Sequence, residues 1–310
     1  MRRRIRLSAM LKGSATACVL AAAWGGLSTA ALSDALCTIP RSHRYAHALR
    51  WYMADLKASF PESGDYTADS ALTEANYAAV LSGLVNNLGV NGIRVPMIPD
   101  YESPGAYPDL YTRIIATARG LGLAIYASPL SFGPEQYEGW SDARYAAWIA
   151  SYVAAYQPDF VSPFNEAGFT DDRMRGIIRA LRYALPKPTV LIGPDKKLVA
   201  GNIAELEAPY SVAPLFNVIG AHNSGGDTTA TPENWAHLIA DAPGGKPVWS
   251  TENPAYWSVG QRAGLPGLMG AVASGVRGLV IWKGKPSLVD DAGQPTAKAC
   301  KLAQHIVAPL

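Results

Sequence analysis

The stretch SDARYAAWIASYVAAYQPDFVSPFNEAGFTDDRMRGIIRALRYAL, residues 141–185, decides the fold class. Residues 141–157 open on a Ser that can cap a helix and carry apolar side chains at helical spacing. Residues 159–167, DFVSPFNEA, begin as a short apolar run that reads as a buried strand. Residues 170–185 again read as a helix, with Thr170 and Asp171 at its start. Helix, strand and helix at this spacing are the units of a parallel sheet covered by helices.

The same alternation extends in both directions. Upstream, 72–89 is predicted as a helix closed by Gly89, 90–100 as a strand, 107–122 as a helix and 123–130 as a strand. Downstream, strands are predicted at 189–195, 216–224, 246–254 and 277–284, separated by helices near 198–213, 231–242 and 265–276. A last helix is predicted over 296–310. These strands are numbers two to eight. The first is expected between residues 45 and 60, near LRWYMADLKASF, although HRYAHALRWYMADL could equally be helical. Eight units in one chain point to a single (β/α)8 barrel, whose ordinary length is about 250 residues. An open doubly wound sheet is the alternative, but it would not usually run to eight evenly spaced units.

The chain ends carry a separate message. Residues 1–30 combine a basic start, MRRRIR, with a short apolar stretch and a small-x-small site at Ser28–Ala30, as in a cleaved signal peptide. The catalytic domain is then expected over 31–310, exported to the periplasm or the medium, with no stable membrane insertion after cleavage. Arg2, Arg3, Arg4, Arg6 and Lys12 leave with that segment, which turns the formal net charge of +2 into −3. No nucleic-acid footprint remains. Cys18 leaves too, and Cys37 and Cys300 form an even pair near the two ends of the mature chain. An oxidising compartment makes them a disulfide candidate, the other reading being two unrelated buried thiols.

Parallel α/β sheets place their working groups at the carboxyl ends of the strands. Strand two ends with Arg94, Asp100 and Tyr101, strand four with Asn165 and Glu166, and strand six with His222 and Asn223. Strand seven ends with Glu252, and strand eight with Trp282 and Lys283. Glu166 and Glu252 stand out, because strands four and seven face each other across the mouth of an eight-stranded barrel. Hydrolysis of a glycosidic bond requires two carboxyl groups flanking it.

On these residues the chain resembles the clan A glycoside hydrolases, through SPFNEA on strand four and VWSTENP on strand seven. With YASPLSFGPEQY, the local pattern is most similar to glycoside hydrolase family 30, then families 5 and 39. The resemblance implies Glu166 as general acid/base, Glu252 as nucleophile, and Asn165 as a donor to the sugar 2-hydroxyl. It implies Arg94 beneath the nucleophile, holding it ionised, and Trp282 as the platform under the sugar. The chain departs from that pattern in three places. Ala167 stands where many relatives have Pro, and strand six ends His222–Asn223 where relatives commonly offer a Tyr to the nucleophile. There is also no room for the β-sandwich of family 30. Tyr256 could replace the missing Tyr.

His222 divides evenly between contact with a sugar subsite and a satisfied core histidine. Tyr256 and Trp257 are candidates for sugar stacking, Trp249 reads as core, and Trp140 as part of a rim loop. DKKLV, 195–199, reads as a solvated loop and helix start. No metal is expected, since His43, His47, His222, His237 and His305 form no cluster with carboxylates or cysteines by spacing. No cofactor is expected either. The expected function is retaining hydrolysis of a β-linked oligo- or polysaccharide by a monomer. For that role Glu166 needs its pKa raised and Glu252 needs its charge kept. The alternative is a non-catalytic carbohydrate-binding barrel of the cell envelope. A barrel enzyme acting on something other than sugar ranks third.

Overall fold

A computed structural model describes residues 49–306, apart from 102, 131–136, 138, 167, 187–188, 224–226 and 255–263. Residues 1–48, and with them the expected signal peptide and Cys37, lie outside the described residues, as do Tyr256 and Trp257.

Eight strands close into a parallel barrel in sequence order. They are β1 (Trp51–Asp55), β2 (Gly92–Met97), β3 (Ala124–Pro129), β4 (Phe160–Val161), β5 (Val190–Lys196), β6 (Val218–His222), β7 (Val248–Pro254) and β8 (Gly278–Trp282). The barrel closes where β1 pairs with β8, Trp51 against Gly278 through Ala54 against Ile281. Between and after them run the helices α1 (Tyr77–Leu88), α2 (Asp109–Gly120), α3 (Asp142–Tyr156), α4 (Asp171–Ala184), α5 (Val199–Glu207), α6 (Pro232–Ala240), α7 (Gly264–Ser274) and α8 (Ala297–Ile306). The open doubly wound alternative is thereby excluded. The segment that sequence left between helix and strand contains β1, and its burial on both faces is what a strand inside a closed barrel requires.

Local chemistry explains where the elements start and stop. Ser141, Thr170 and Thr231 each accept a backbone N–H in the first turn of α3, α4 and α6. Helix α1 begins at Tyr77 rather than at residue 72, because Asn76 accepts the Thr73 N–H and donates to the Ala71 carbonyl, folding 71–76 into a turn. Strand β4 is shorter than DFVSPFNEA suggests. Pairing ends at Val161, since Pro163 has no N–H to give and the Ser162 hydroxyl takes the Phe164 carbonyl that a ladder would use.

Two cores result. A large one fills the space between strands and helices. A smaller one lies inside the barrel, with Met53, Tyr126, Phe160, Ile192, Val218, Trp249 and Val280 contributed by every strand except β2. Trp249 is core, as its place within strand seven suggested. Strand β2 gives Gly92, where a Cβ would lie 2.7 Å from the Met53 side chain, so its absence leaves room for Met53. Two residues on, β2 sends Arg94 inward, toward the mouth. A guanidinium there must find carboxylates, because an unpaired buried charge costs several kcal/mol.

Candidate active site

Arg94 is fully buried and organises the mouth of the barrel. Its Nη1 donates to Asp55 Oδ2 (3.2 Å), to the Thr251 carbonyl (3.0 Å) and to Glu252 Oε2 (2.9 Å). Nη2 donates to Asn165 Oδ1 at 2.6 Å and lies 3.7 Å from Asp195 Oδ2, while Nε donates to Ser128 Oγ at 2.9 Å. One side chain from β2 thus ties together the ends of β1, β3, β5 and β7 and the chain that follows β4.

Backbone irregularities aim these groups. The ladders shift register between Pro194 and Lys196, between Ala221 and His222, and between Ser250 and Asn253. Bulges of this kind turn a side chain away from its expected face, and here they fall at Asp195, His222 and Glu252. Glu166 and Asp195 both adopt positive φ, 53° and 61°, and the Glu166 N–H donates to the Asp195 carbonyl at 3.0 Å. Non-glycine residues there carry strain of roughly 1–3 kcal/mol each, which persists where surrounding contacts over-determine the conformation.

Glu166 and Glu252 meet. With His222 they present one ligating atom each, all within 4.8 Å of one another. Their side chains keep 20% and 12% of their surface exposed, whereas Arg94, Asp55, Asp195 and His222 keep none, so the two carboxylates are the acids of this network that a ligand reaches. Glu252 Oε2 accepts from Lys57 Nζ at 3.0 Å as well as from Arg94. Burial opposes the Glu252 charge, but Lys57, His222 and Arg94 outweigh it and hold the carboxyl far below the ordinary range. Asp55 differs: burial dominates and pushes it up, against Lys57 and Arg94.

His222 is fully buried, with Nδ1 hydrogen-bonded to Glu166 Oε1 at 3.0 Å and Nε2 3.7 Å from Asp195 Oδ1. It is thus buried like a core histidine, yet bonded to one of the two partly exposed carboxylates. Asp195 also accepts from the Tyr126 hydroxyl (2.9 Å) and from Thr251 Oγ1. The segment read as a solvated loop therefore begins with a fully buried acid at the centre of the site. Asp55, Lys57, Tyr126, Ser128, Asp195 and Thr251 were all missed by sequence reading.

Glu166 corrects a second expectation. Burial and the charge of Glu252 push its pKa up, yet the hydrogen bond and charge of His222 outweigh both, and the net shift is downward. The Glu166 carboxyl is therefore held below the ordinary Glu range, chiefly by the hydrogen bond and charge of His222. Were Glu166 the acid of a catalytic pair, kcat/KM, which reports the free protein, should decline as pH rises through that lowered pKa. Replacing His222 by Asn removes the lowering influence, so the alkaline limb should move to higher pH in a kcat/KM profile. An unmoved limb would remove His222 from this role.

Trp282 ends β8 beside Pro254 of β7, with Lys283 Nζ 4.5 Å from its ring centroid, within cation–π reach. Trp140 packs edge-on against Tyr137 and Trp148 under Arg144, inside an aromatic cluster. Tyr101 donates to Glu62.

Two histidines do lie among carboxylates in space, against the expectation from spacing. They are His222, and His237 with Glu207 and Asp241 on the exposed faces of α5 and α6. At the mouth, a divalent cation on Glu252 would sit beside an ammonium and a guanidinium already within 3.0 Å, a repulsive environment.

No protein-family model matches the chain, and no curated protein matches it by sequence. Solved structures do share its architecture. An endocellulase of Pyrococcus horikoshii in complex with cellotetraose superposes with a TM-score of 0.55 at 12% identity, over 83% of this chain and 92% of that one. A β-mannanase of Streptomyces thermolilacinus with mannohexaose gives 0.55 at 15%, over 74% and 83%. A family 18 chitinase of Pseudoalteromonas aurantia gives 0.52 at 12%, over 82% and 99%. At such identities the likeness is one of fold, shared with several glycoside hydrolase families.

Proposed function

We propose that the protein is a retaining glycoside hydrolase that cleaves a β-linked oligo- or polysaccharide, with Glu252 as nucleophile and Glu166 as acid/base. The observation that carries this reading is the carboxylate pair, with acidic oxygens from opposite sides of the barrel within 4.8 Å at its mouth. Retaining enzymes hold the two carboxyl groups about 5–5.5 Å apart and inverting ones about 6.5–9.5 Å, leaving room for a water. The fold likeness to hydrolases crystallised with cellotetraose and mannohexaose adds support.

In the first step a Glu252 oxygen forms a bond to the anomeric carbon as the bond to the leaving oxygen breaks, and the Glu166 proton goes to that oxygen. In the second step water attacks the anomeric carbon, gives its proton to Glu166, and returns the bonding pair to Glu252. Asn165, whose Oδ1 accepts from Arg94, is the proposed contact to the sugar 2-hydroxyl. Trp282 serves as the stacking platform, and Tyr256 and Trp257 are further stacking candidates by their place in the sequence after β7. The motif likeness to families 30, 5 and 39 fits this assignment.

Export belongs to the same reading. The basic and apolar start of the chain supports it, and a disulfide at Cys300 would fit it. Cys37 is its proposed partner, in an oxidising compartment.

The test is turnover of cellulose, mannan, xylan and mixed-linkage β-glucan oligosaccharides, followed by proton NMR in the first minutes. The β-anomer should appear first. An α-anomer would replace retention by inversion, and binding without turnover would favour a sugar-binding barrel.

A further inference from the structure

The resemblance leaves the nucleophile short of one partner, a hydroxyl donor from the sixth strand. Here β6 ends in His222, and its Nδ1 serves Glu166 instead. The opposite side of the mouth supplies a replacement. Lys57 lies just past β1, 3% exposed, with Nζ 3.0 Å from Glu252 Oε2 and 3.8 Å from Asp55 Oδ2. Asp55 also accepts the Lys57 backbone N–H at 2.8 Å, so one carboxylate steadies both the main chain and the ammonium. Among the described residues, every polar contact made by the Glu252 side chain falls on Oε2.

We propose that Lys57 is a positioning residue for the nucleophile: with Arg94 it pins Oε2 of Glu252, so that Oε1 is the oxygen that attacks. The inference rests on reading Glu252 as the nucleophile. A lysine is an expensive residue to bury, and its burial is accounted for by the charge it faces. Lys57 and Arg94 set two positive charges beside Glu252 and the buried Asp55, with Arg94 also 3.7 Å from Asp195. The Glu252 charge faces the positive anomeric carbon as it develops, and ester formation removes it. Fixed charges of this kind lower a barrier because they require no reorganisation during the reaction. Without Lys57, Asp55 and Glu252 repel each other across the gap, and the carboxylate loses one of its two anchors.

Lys57→Met keeps the packing volume and removes the charge. With an aryl β-glycoside it should lower kcat by about 10²-fold, the scale for losing one fixed charged donor, while KM stays within about two-fold. Lys57→Cys treated with bromoethylamine regains an amine at the same reach and should recover most of the lost kcat, with treated wild type as control. Should Lys57→Met not fold, the treated and untreated Lys57→Cys proteins, matched by thermal melting, carry the comparison. A Lys57→Met protein with wild-type kcat, or a Lys57→Cys protein no faster after treatment, overturns the role of Lys57. A wild-type protein that hydrolyses no glycoside overturns the glycosidase reading instead, so the two failures are distinguishable.

Discussion

Glu166→Gln should lower kcat on a natural polysaccharide by about 10²–10⁴-fold, the usual contribution of a positioned acid/base, yet keep a burst on aryl β-glycosides. An activated phenolate leaves without a proton, so the first step survives and the glycosyl-enzyme accumulates. Azide needs no general base, and adding it should restore turnover and yield the β-glycosyl azide. Gln can still hydrogen-bond His222, so the loss belongs to the missing proton more than to a collapsed site. Glu252→Ala should lose both substrate types, because no nucleophile remains, and azide entering from the opposite face should give the α-azide. Full activity in both variants, read by initial rates and NMR of the azide products, would contradict the assignment.

Arg94→Met should be the most damaging single change to stability. The guanidinium is fully buried and bonded to groups from five strand ends. Burial works against its charge, but Tyr126, Asp55, Glu252 and Asp195 overcome that and bind its proton more firmly than usual. Removing it leaves Asp55 and Asp195 buried with less compensation, a change that costs about 3–5 kcal/mol when one partner of a buried pair is lost. Urea unfolding should show a lower midpoint with little change in slope. Arg94→Lys should not recover the loss, since one ammonium cannot span Ser128, Asp55, Thr251, Glu252 and Asn165 as a planar fork does. A midpoint within error of wild type would show that the network does not depend on Arg94.

The barrel was legible in the sequence because each βα unit carries its own punctuation, such as Ser141, Thr170 and Thr231 at helix starts and Gly89 at a helix end. Glu166 and Glu252 were legible because each ends a recognisable apolar run, and Arg94 because it is a lone charge inside one, Gly92–Met97. Asp55 and Asp195 obey the same rule, one at the end of MAD and the other at the end of LIGPD, and were passed over for different reasons. Strand one could not be told from a helix, so its end was never placed. At strand five the neighbouring Lys196 and Lys197 made a buried acid look like part of a solvated turn. His222 was harder. Its partner Glu166 lies 56 positions away, and a register shift that no local pattern announces brings the two together. The lowered Glu166 pKa follows from that same contact, so composition could not foretell it.

The most direct measurement is covalent trapping. Incubation with a 2-deoxy-2-fluoro-β-glycosyl fluoride, followed by proteolysis and tandem mass spectrometry, should place one sugar adduct on Glu252, with inactivation slowed by a competing substrate. An adduct on Glu166, or turnover with inverted product and no adduct at all, would contradict the account.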